Sequence, residues 1–541
     1  MRCIKDKTFE TKIEINDSFE NTTFWDCVFK DDIEIVDIHS KRIIRFYGCQ
    51  IEKSCFVKTL DKNVSPIEID ISFSSSKIKY LQIGDKSLHE YNWKIDICDA
   101  EIDYCNIRNC IYENIDINNS QINDLLLNFC IGNVFNDPEI NIDDSRIKTF
   151  WANHISNVYE LNITNSRFNL LNIYDSSFNA GIKIYKTVNE GETNIDLYKS
   201  GNFIIQDSNF EKKFRCSYIK PYDEKESVGK IQLAEDVFQE KAEFSGTQID
   251  RIDISCSAAK MEGEISFVGF KILDRLTLSG FNKHADFQFL HLNVCLFSCM
   301  NFLNYGSVSI LGLTCYKGKN PGFRIAGPSN IGNMNIQGSD LSAFPLITFL
   351  DCSLFGLKYS NVKWFDPKIL NQNNSKAPDF WERKQEAYRQ LKYCAEDNKD
   401  KIQALIFKAY EIDAYQHTLS WKRNFSDLLM LWLNKISNNH GLSWNRGLFF
   451  TIFCGLLFYL IFYGCYDDLS YRMYFWGNFI KYIWLFNGID DLIQFLNQPL
   501  NSFGDCLIRF LGSICYIIGK ILVAYGIFQT ISAFRKYVKA D

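Results

Sequence analysis

Large apolar side chains recur at every fifth position along the first two-thirds of the chain. Ile97, Ile102, Ile107, Tyr112, Ile117, Ile122 and Leu127 form one unbroken run. Two residues before each stand Ile95, Ala100, Cys105, Cys110, Ile115, Ser120 and Leu125, which are small or apolar. The positions between them, such as Asp96, Glu101, Asn106, Asp116 and Gln121, are polar. The period returns at Ile163, Phe168, Ile173 and Phe178, and again at Phe287, Leu292, Phe297 and Phe302, the latter preceded by Ala285, Leu290, Cys295 and Met300. Shorter runs occur at Phe19, Phe24 and Phe29, at Phe244, Ile249 and Ile254, and at Phe349, Leu354, Tyr359 and Trp364.

A helix repeats every 3.6 residues and a strand every 2, so neither produces a period of five. A chain that turns a corner every fifth residue does. Each side then sends one large and one smaller side chain inward, and four sides close a coil of about 20 residues whose neighbours stack as parallel strands about 4.8 Å apart. One coil cannot bury its own interior, so stacking supplies the core. With about 280 residues in regular coils, the pattern predicts ~14 coils and a rod of roughly 65 Å. Register slips near 130–141, 149–160 and 183–195, and the charged 211–241 stretch with Pro221 reads as an insertion.

This pattern resembles the pentapeptide-repeat family. It is carried by Ala285-Asp286-Phe287, Ser339-Asp340-Leu341, Cys352-Ser353-Leu354 and the run from Ile97 to Leu127. The resemblance covers roughly 15–365 and implies a right-handed, four-sided parallel β-helix over 1–366. Many Ile and Phe stand where the family prefers Ala, Leu or Asp, so the array is degenerate, and a less regular parallel β-helix is the alternative.

After residue 377 the five-residue period gives way to helical spacing. Ala377-Pro378-Asp379 reads as a helix start, with Asp379 and Glu382 placed as a capping box. Trp381, Tyr388, Leu391 and Ala395 make its apolar face. Glu396 to Asp400 is a polar break, and Ile402, Leu405, Ile406, Ala409 and Tyr410 continue as a second helix. This adaptor, 377–420, resembles the helical linker of bacterial membrane proteins that carry pentapeptide repeats, through Tyr388 to Lys392 with Glu411 downstream; alternatively it caps the open end of the rod.

The remainder is patterned for lipid. Residues 447–466 hold 20 positions without a charge, enough for a ~30 Å hydrocarbon layer at 1.5 Å per residue. A second span covers 507–531, with Arg509 near one end and Lys520 at its centre. Residues 425–436 read as an interfacial amphipathic helix, and aromatic 473–486, too short to cross, as an interfacial or re-entrant one. Gly512, Gly519, Gly526 and Ala533 recur every seven residues, a stripe that lets helices approach closely. Lys520, Gln529 and Arg509 are the candidate pore or membrane-interior polar residues; a central ammonium must face a partner or water.

Charge separates the same two parts. The chain has 541 residues with 59 Lys plus Arg and 65 Asp plus Glu, a net of −6. Residues 1–365 carry 39 basic and 49 acidic side chains, a net of −10; residues 366–541 carry 20 and 16, a net of +4. Lys422, Arg423, Lys435 and Arg446 precede the first span, and Arg535, Lys536 and Lys539 follow the second. The intervening 467–505 holds Arg472 and Lys481 against five Asp. Both termini are therefore expected on the cytoplasmic side. The first residues have no apolar signal-peptide core. The 19 Cys, none in a C-x-x-C pair, fit free thiols in a reducing compartment, with Cys105, Cys110, Cys295 and Cys352 as small inward hydrophobes.

The seven His are scattered, and nothing pairs His284 or His291 with a nucleophile. No catalytic, metal or cofactor site is expected, and no nucleic-acid partner. The order span, short helix, span is similar in arrangement to two-helix ion channels, but the segment from Leu485 to Asp491 departs from a potassium-type filter. The sequence thus leads to a bacterial inner-membrane protein with a cytosolic recognition and assembly module. The lipid bilayer and self-association are the expected interactions, with a cytosolic protein or small molecule as ligand. A β-helix-gated pore is the alternative, and a β-helix enzyme a remote one.

Overall fold

In the computed structural model the described residues are 2–538, apart from 37, 59–67, 85–88, 134–136, 219–228, 258–259, 373–374, 466–470, 472, 485–488 and 498–502. The chain divides into two units, 1–373 and 374–541.

The first unit is a parallel β-solenoid of about 15 turns. Each strand pairs in parallel with the strand one coil later. Glu101–Arg108 pairs with Gln121–Asn128, placing Ile102 on Ile122 and Ile107 on Leu127. That coil is 20 residues long. The step lengthens to 25 from Gln121 to Arg146, with five extra residues between the paired Gly132 and Glu139, and is 21 from Arg146 to Arg167. It reaches 28 from Asn209 to Val237, around the expected insertion, of which 219–228 lie outside the described residues.

The inward stack is buried throughout. Ile97, Ile102, Ile107, Tyr112, Ile117, Ile122 and Leu127 are at most 2% exposed, as are Phe287, Leu292, Phe297 and Phe302. Aromatic rings continue the ladder: Phe24, Phe46 and Phe73 stack at 5.1 and 5.0 Å. In the 287–302 run Ala285 and Cys295 are buried as expected, but Leu290 and Met300 are not. The second inward residue follows by two, as Phe289, Val294 and Cys299, while Leu290 and Met300 are half-buried. The left-handed corners at His291 and Asn301 explain this, because the residues one and three beyond such a corner point inward. At the last coils Leu357 and Phe365 are buried and Tyr359 and Trp364 only partly, and Cys352 is half-buried rather than inward. Phe19, on the opening coil, is also half-buried.

Every second corner of the regular coils carries a residue with positive φ: Asp99 (53°), Asn109 (50°), Asn119 (47°) and Phe129 (53°). Asp and Asn tolerate this region better than other non-glycine residues. Immediately after such a corner sits the small inward residue, and its hydroxyl closes the corner. The amides of Ala100, Ser120 and Ser145 donate to the hydroxyls of Ser120, Ser145 and Ser166, each at 3.1 Å. The Ser120 hydroxyl donates in turn to the Asn118 carbonyl at 2.7 Å. Buried backbone polar groups need partners, and this serine ladder provides them where the strand ladder bends.

The second unit has seven described helices: α1 (Phe380–Asp397), α2 (Lys401–Thr418), α3 (Phe425–Asn438), α4 (Trp444–Gly464), α5 (Phe475–Ile483), α6 (Asp490–Leu496) and α7 (Phe503–Val538). At the start of α1 the expected capping box is not formed. Asp379 caps no amide with its side chain and instead accepts from Arg383 Nε at 2.6 Å, a full turn into the helix. Asp400 does cap α2, accepting from the Gln403 amide at 3.0 Å. Tyr388, Leu391 and Ala395 of α1 are buried as expected. On α2 the buried face runs through Ala404, Phe407, Ala414 and the expected Ala409, whereas Ile402 is exposed. Glu411 ties the pair together, accepting from Arg389 Nε at 3.1 Å and Lys392 Nζ at 2.9 Å. α3 exposes Phe425, Leu429, Met430, Trp432 and Ile436 as an apolar face, with the Phe425 ring 5.9 Å from that of Trp421.

Candidate functional site

Two helices, Trp444–Gly464 within α4 and Asp505–Phe534 within α7, are long and apolar enough to cross a membrane. Only 33% and 22% of their most apolar windows are buried, whereas a helix in a soluble core would bury most of its surface. The end of the first expected span, Tyr466, lies outside the described residues, as do Asp467, Asp468, Arg472 and Leu485 to Gly488 of the connecting segment.

α4 and α7 run antiparallel, and their small residues make the contact. A Cβ on Gly447 would lie 3.1 Å from the Thr530 Cα; one on Gly526 would lie 3.1 Å from the Thr451 Cα. Gly455 faces Val523, Gly519 faces Phe458, and Gly512 faces Cys465. Ala533 is buried at the end of the same stripe. The stripe on α7 is therefore occupied within the chain, by α4 and by the short helices that follow it.

Those short helices fold back along the hairpin. The Phe475 ring lies 5.1 Å from the Tyr463 ring, and the Tyr459 hydroxyl donates to the Phe475 carbonyl at 3.3 Å. Eight residues on, Ile483 reaches Gly455, two turns back along α4. Tyr482 rests on Gly519, its hydroxyl donating to the Tyr516 carbonyl at 3.3 Å. α5 thus ends level with Lys520, the midpoint of the apolar stretch Asp505–Phe534. The sequence pattern does not predict α6, because a seven-residue helix that opens on two Asp gives too short a periodic signal. Its Phe495 packs 5.0 Å from Phe462 and against Gly512. Tyr459, Phe462, Tyr482, Phe495, Tyr516 and Val523 form one buried cluster that fixes all four helices.

Arg509, Lys520 and Gln529 of α7 each hold a different segment. Arg509 Nη1 donates to the Leu496 carbonyl, at the end of α6, at 3.0 Å. Lys520 Nζ donates to the Trp484 carbonyl, at the end of α5, at 3.2 Å, and sits 5.5 Å from the centroid of the Tyr482 ring. Gln529 accepts from Asn438 Nδ2 at the end of α3 through its side chain, and through its carbonyl at 3.3 Å. A cation at a helix C-terminus opposes the negative end of the helix dipole, so the Lys520 position is electrostatically favourable. Asp491 is near enough to Lys481 and Lys520 for both charges to act on it.

On the solenoid, an open groove of 520 Å³ is lined by Lys53, Ser54, Lys79, Tyr80, Asp103 and Tyr104, with Asp32 at its edge. The Tyr80 and Tyr104 rings stack at 4.9 Å, covering each other's faces, and the Tyr80 hydroxyl donates to Gln82 Oε1 at 3.1 Å. Buried thiols along the solenoid are poor nucleophiles: burial pushes Cys49 and Cys105 up to about 12. Among the described residues no group of three or more His, Cys, Asp or Glu could hold a metal ion.

No family model, curated protein or solved structure matches this chain.

Proposed function

We propose that this chain is a homo-oligomeric, non-catalytic integral protein of a bacterial inner membrane, with both termini cytoplasmic, whose β-solenoid is a recognition and assembly module for a cytosolic ligand. The observation that carries the reading is the joining, in one chain, of the solenoid to the α4–α7 hairpin, whose apolar side chains such as Phe449, Phe453, Ile517 and Ile521 face outward. Lipid is the solvent that suits such a surface. The exposed apolar face of α3, behind Lys422 and Arg423, suits the bilayer surface. The solenoid's in-register columns, including the groove between Lys53 and Tyr104, suit a ligand larger than its seven lining residues. Alkaline extraction of membranes tests the first part: the protein is expected in the pellet, and release as a soluble protein overturns the reading. Native mass in detergent tests the oligomer.

A second reading is favoured by the placement of α5. A helix that stops halfway along a membrane hairpin is tolerated where it lines water or is enclosed by protein, so copies grouped around it would form a gated pore. A Lys520 amine held on the α5 carbonyl end supports a bracing role over an anion-attracting one. Ion flux through liposomes carrying the wild type and Lys520→Ala tests it; an assembled oligomer that conducts nothing overturns the pore.

A further inference from the structure

We infer that α3 docks on acidic phospholipids: Lys422, Arg423 and Arg446 take the headgroup phosphates, and a stripe of Phe425, Leu429, Trp432 and Ile436 enters the acyl layer. This deepens the membrane reading above and rests on it. The four stripe residues follow one another by four, three and four positions, so they line one side of the helix. They are 58%, 38%, 47% and 44% exposed. Other sides of α3 are taken up by the chain: Leu428, Ser437 and Asn438 are buried, and Asn438 is bonded to Gln529 of α7.

The place of the helix says what meets the stripe. Gln529 lies five residues before the end of the apolar stretch Asp505–Phe534. Residues 439–443 join α3 directly to α4, and the Trp444 ring at the start of α4 stacks on Phe534 at 4.9 Å. The helix therefore sits at the end of the hairpin, where both spans leave their apolar stretch and headgroups begin. Charge then selects among lipids. Residues 421–446 hold four cations, Lys422, Arg423, Lys435 and Arg446, and a single carboxylate, Asp427. Lys435 is paired with Asp413 of α2. Lys422, Arg423 and Arg446 are exposed and make no ion pair among the described residues. A zwitterionic leaflet satisfies the stripe alone. An acidic leaflet also satisfies the cations, each adding about fivefold to the binding.

Lipid quenching in the full-length protein tests this. A bimane is attached at Leu429→Cys in a Cys3→Ser, Cys506→Ser background, with Ile452→Cys on the exposed side of α4 as control. The protein is reconstituted in bromine-labelled phosphatidylcholine, alone or mixed with phosphatidylglycerol. The 429 probe is expected to be quenched more strongly in the acidic bilayer, and the difference should shrink in high salt. Lys422→Gln, Arg423→Gln and Arg446→Gln should each lower the ratio of seated to unseated α3 about fivefold in that bilayer. Equal quenching at 429 in the two bilayers, or a difference that the three variants leave intact, overturns the acidic-lipid docking. Quenching at 452 but not at 429 shows the stripe covered by protein, a second copy included, and overturns it as well. An unquenched 452 probe overturns the membrane reading itself.

Discussion

The amide of Ser208 donates to Asp236 Oδ1 at 3.1 Å, so an aspartate holds, one coil later, the place that serine or threonine holds at positions 120, 145, 166, 187 and 208. Its other oxygen accepts from the Ala234 amide at 3.0 Å. Asp236 is fully buried, and burial, aided by the charges of Asp207 and Glu235, pushes its carboxyl well above the usual carboxylate range against the pull of the two amides. A carboxyl whose folded pKa is raised favours the folded state while protonated, and that contribution is lost as pH rises from the unfolded toward the folded value. Asp236→Ser restores the ladder residue and removes the titration. The difference in urea midpoint, variant minus wild type, should therefore grow from pH 5 to pH 8, read by far-ultraviolet dichroism. A constant difference would show that Asp236 is ionised without cost.

Gly519 leaves no room for a side chain, because Tyr482 and Phe458 press on it from two helices. Gly519→Ala should lower the stability of the membrane unit by about 1–3 kcal/mol, the usual range for overpacking. Tyr482→Phe removes the closest atom, the hydroxyl, along with its bond to the Tyr516 carbonyl. In a double-mutant cycle the pair should be less damaging than the sum of the singles, since the clash and the lost bond share one atom. Additive effects in a thermal melt in detergent would place α5 away from α7.

The solenoid was legible because five-residue spacing is written in side chains that differ sharply in size and polarity, as in the run from Ile97 to Leu127. The phase of that spacing was harder to read. In the 287–302 run two apolar residues flank each large one, Leu290 and Phe289 among them, and only the left-handed corners at His291 and Asn301 decide which turns inward. A corner signal was present all along, in the Asp or Asn at 99, 109 and 119 directly before each small inward residue. The membrane unit was legible in its spans but not in its stitching. Lys520, Arg509 and Gln529 stood out as polar residues in an apolar stretch, yet their partners are two main-chain carbonyls and an Asn 91 positions away, contacts that no spacing rule encodes.

Glu411 is 14% exposed and receives both Arg389 and Lys392, the latter also 14% exposed. Glu411→Gln keeps the shape and removes the charge, leaving the Lys392 ammonium with a weaker acceptor in a half-desolvated place. The expected cost is about 1–3 kcal/mol in a thermal melt. Arg389→Ala should cost less, about 0–1 kcal/mol, because Arg389 is 39% exposed and screened by water. An equal cost for both would mean that the arginine, not the lysine, depends on Glu411.

Thiol labelling offers a map of both units at once. Twelve of the 19 cysteines are buried, five are intermediate, and only Cys3 and Cys506 are exposed. Reaction requires the thiolate, and a thiol pushed up to about 12, as at Cys105 in the solenoid and Cys394 in α1, is ionised to about one part in ten thousand at pH 8. Two cysteines should therefore react in the fast phase with a small uncharged maleimide, and all 19 after denaturation. Cys3→Ser with Cys506→Ser should abolish the fast phase without slowing the rest. The slowest thiols should be those stacked deepest in the solenoid, Cys55 and Cys299, whose exchange with the reagent requires the coils to part. Their labelling rate in native conditions then reports local opening of the solenoid, and that of Cys55 should rise when Leu81, its partner on the next coil, is truncated to Ala, which opens a cavity costing about 2–5 kcal/mol. Rapid labelling of Cys55 in the wild type would contradict a closed, stacked core.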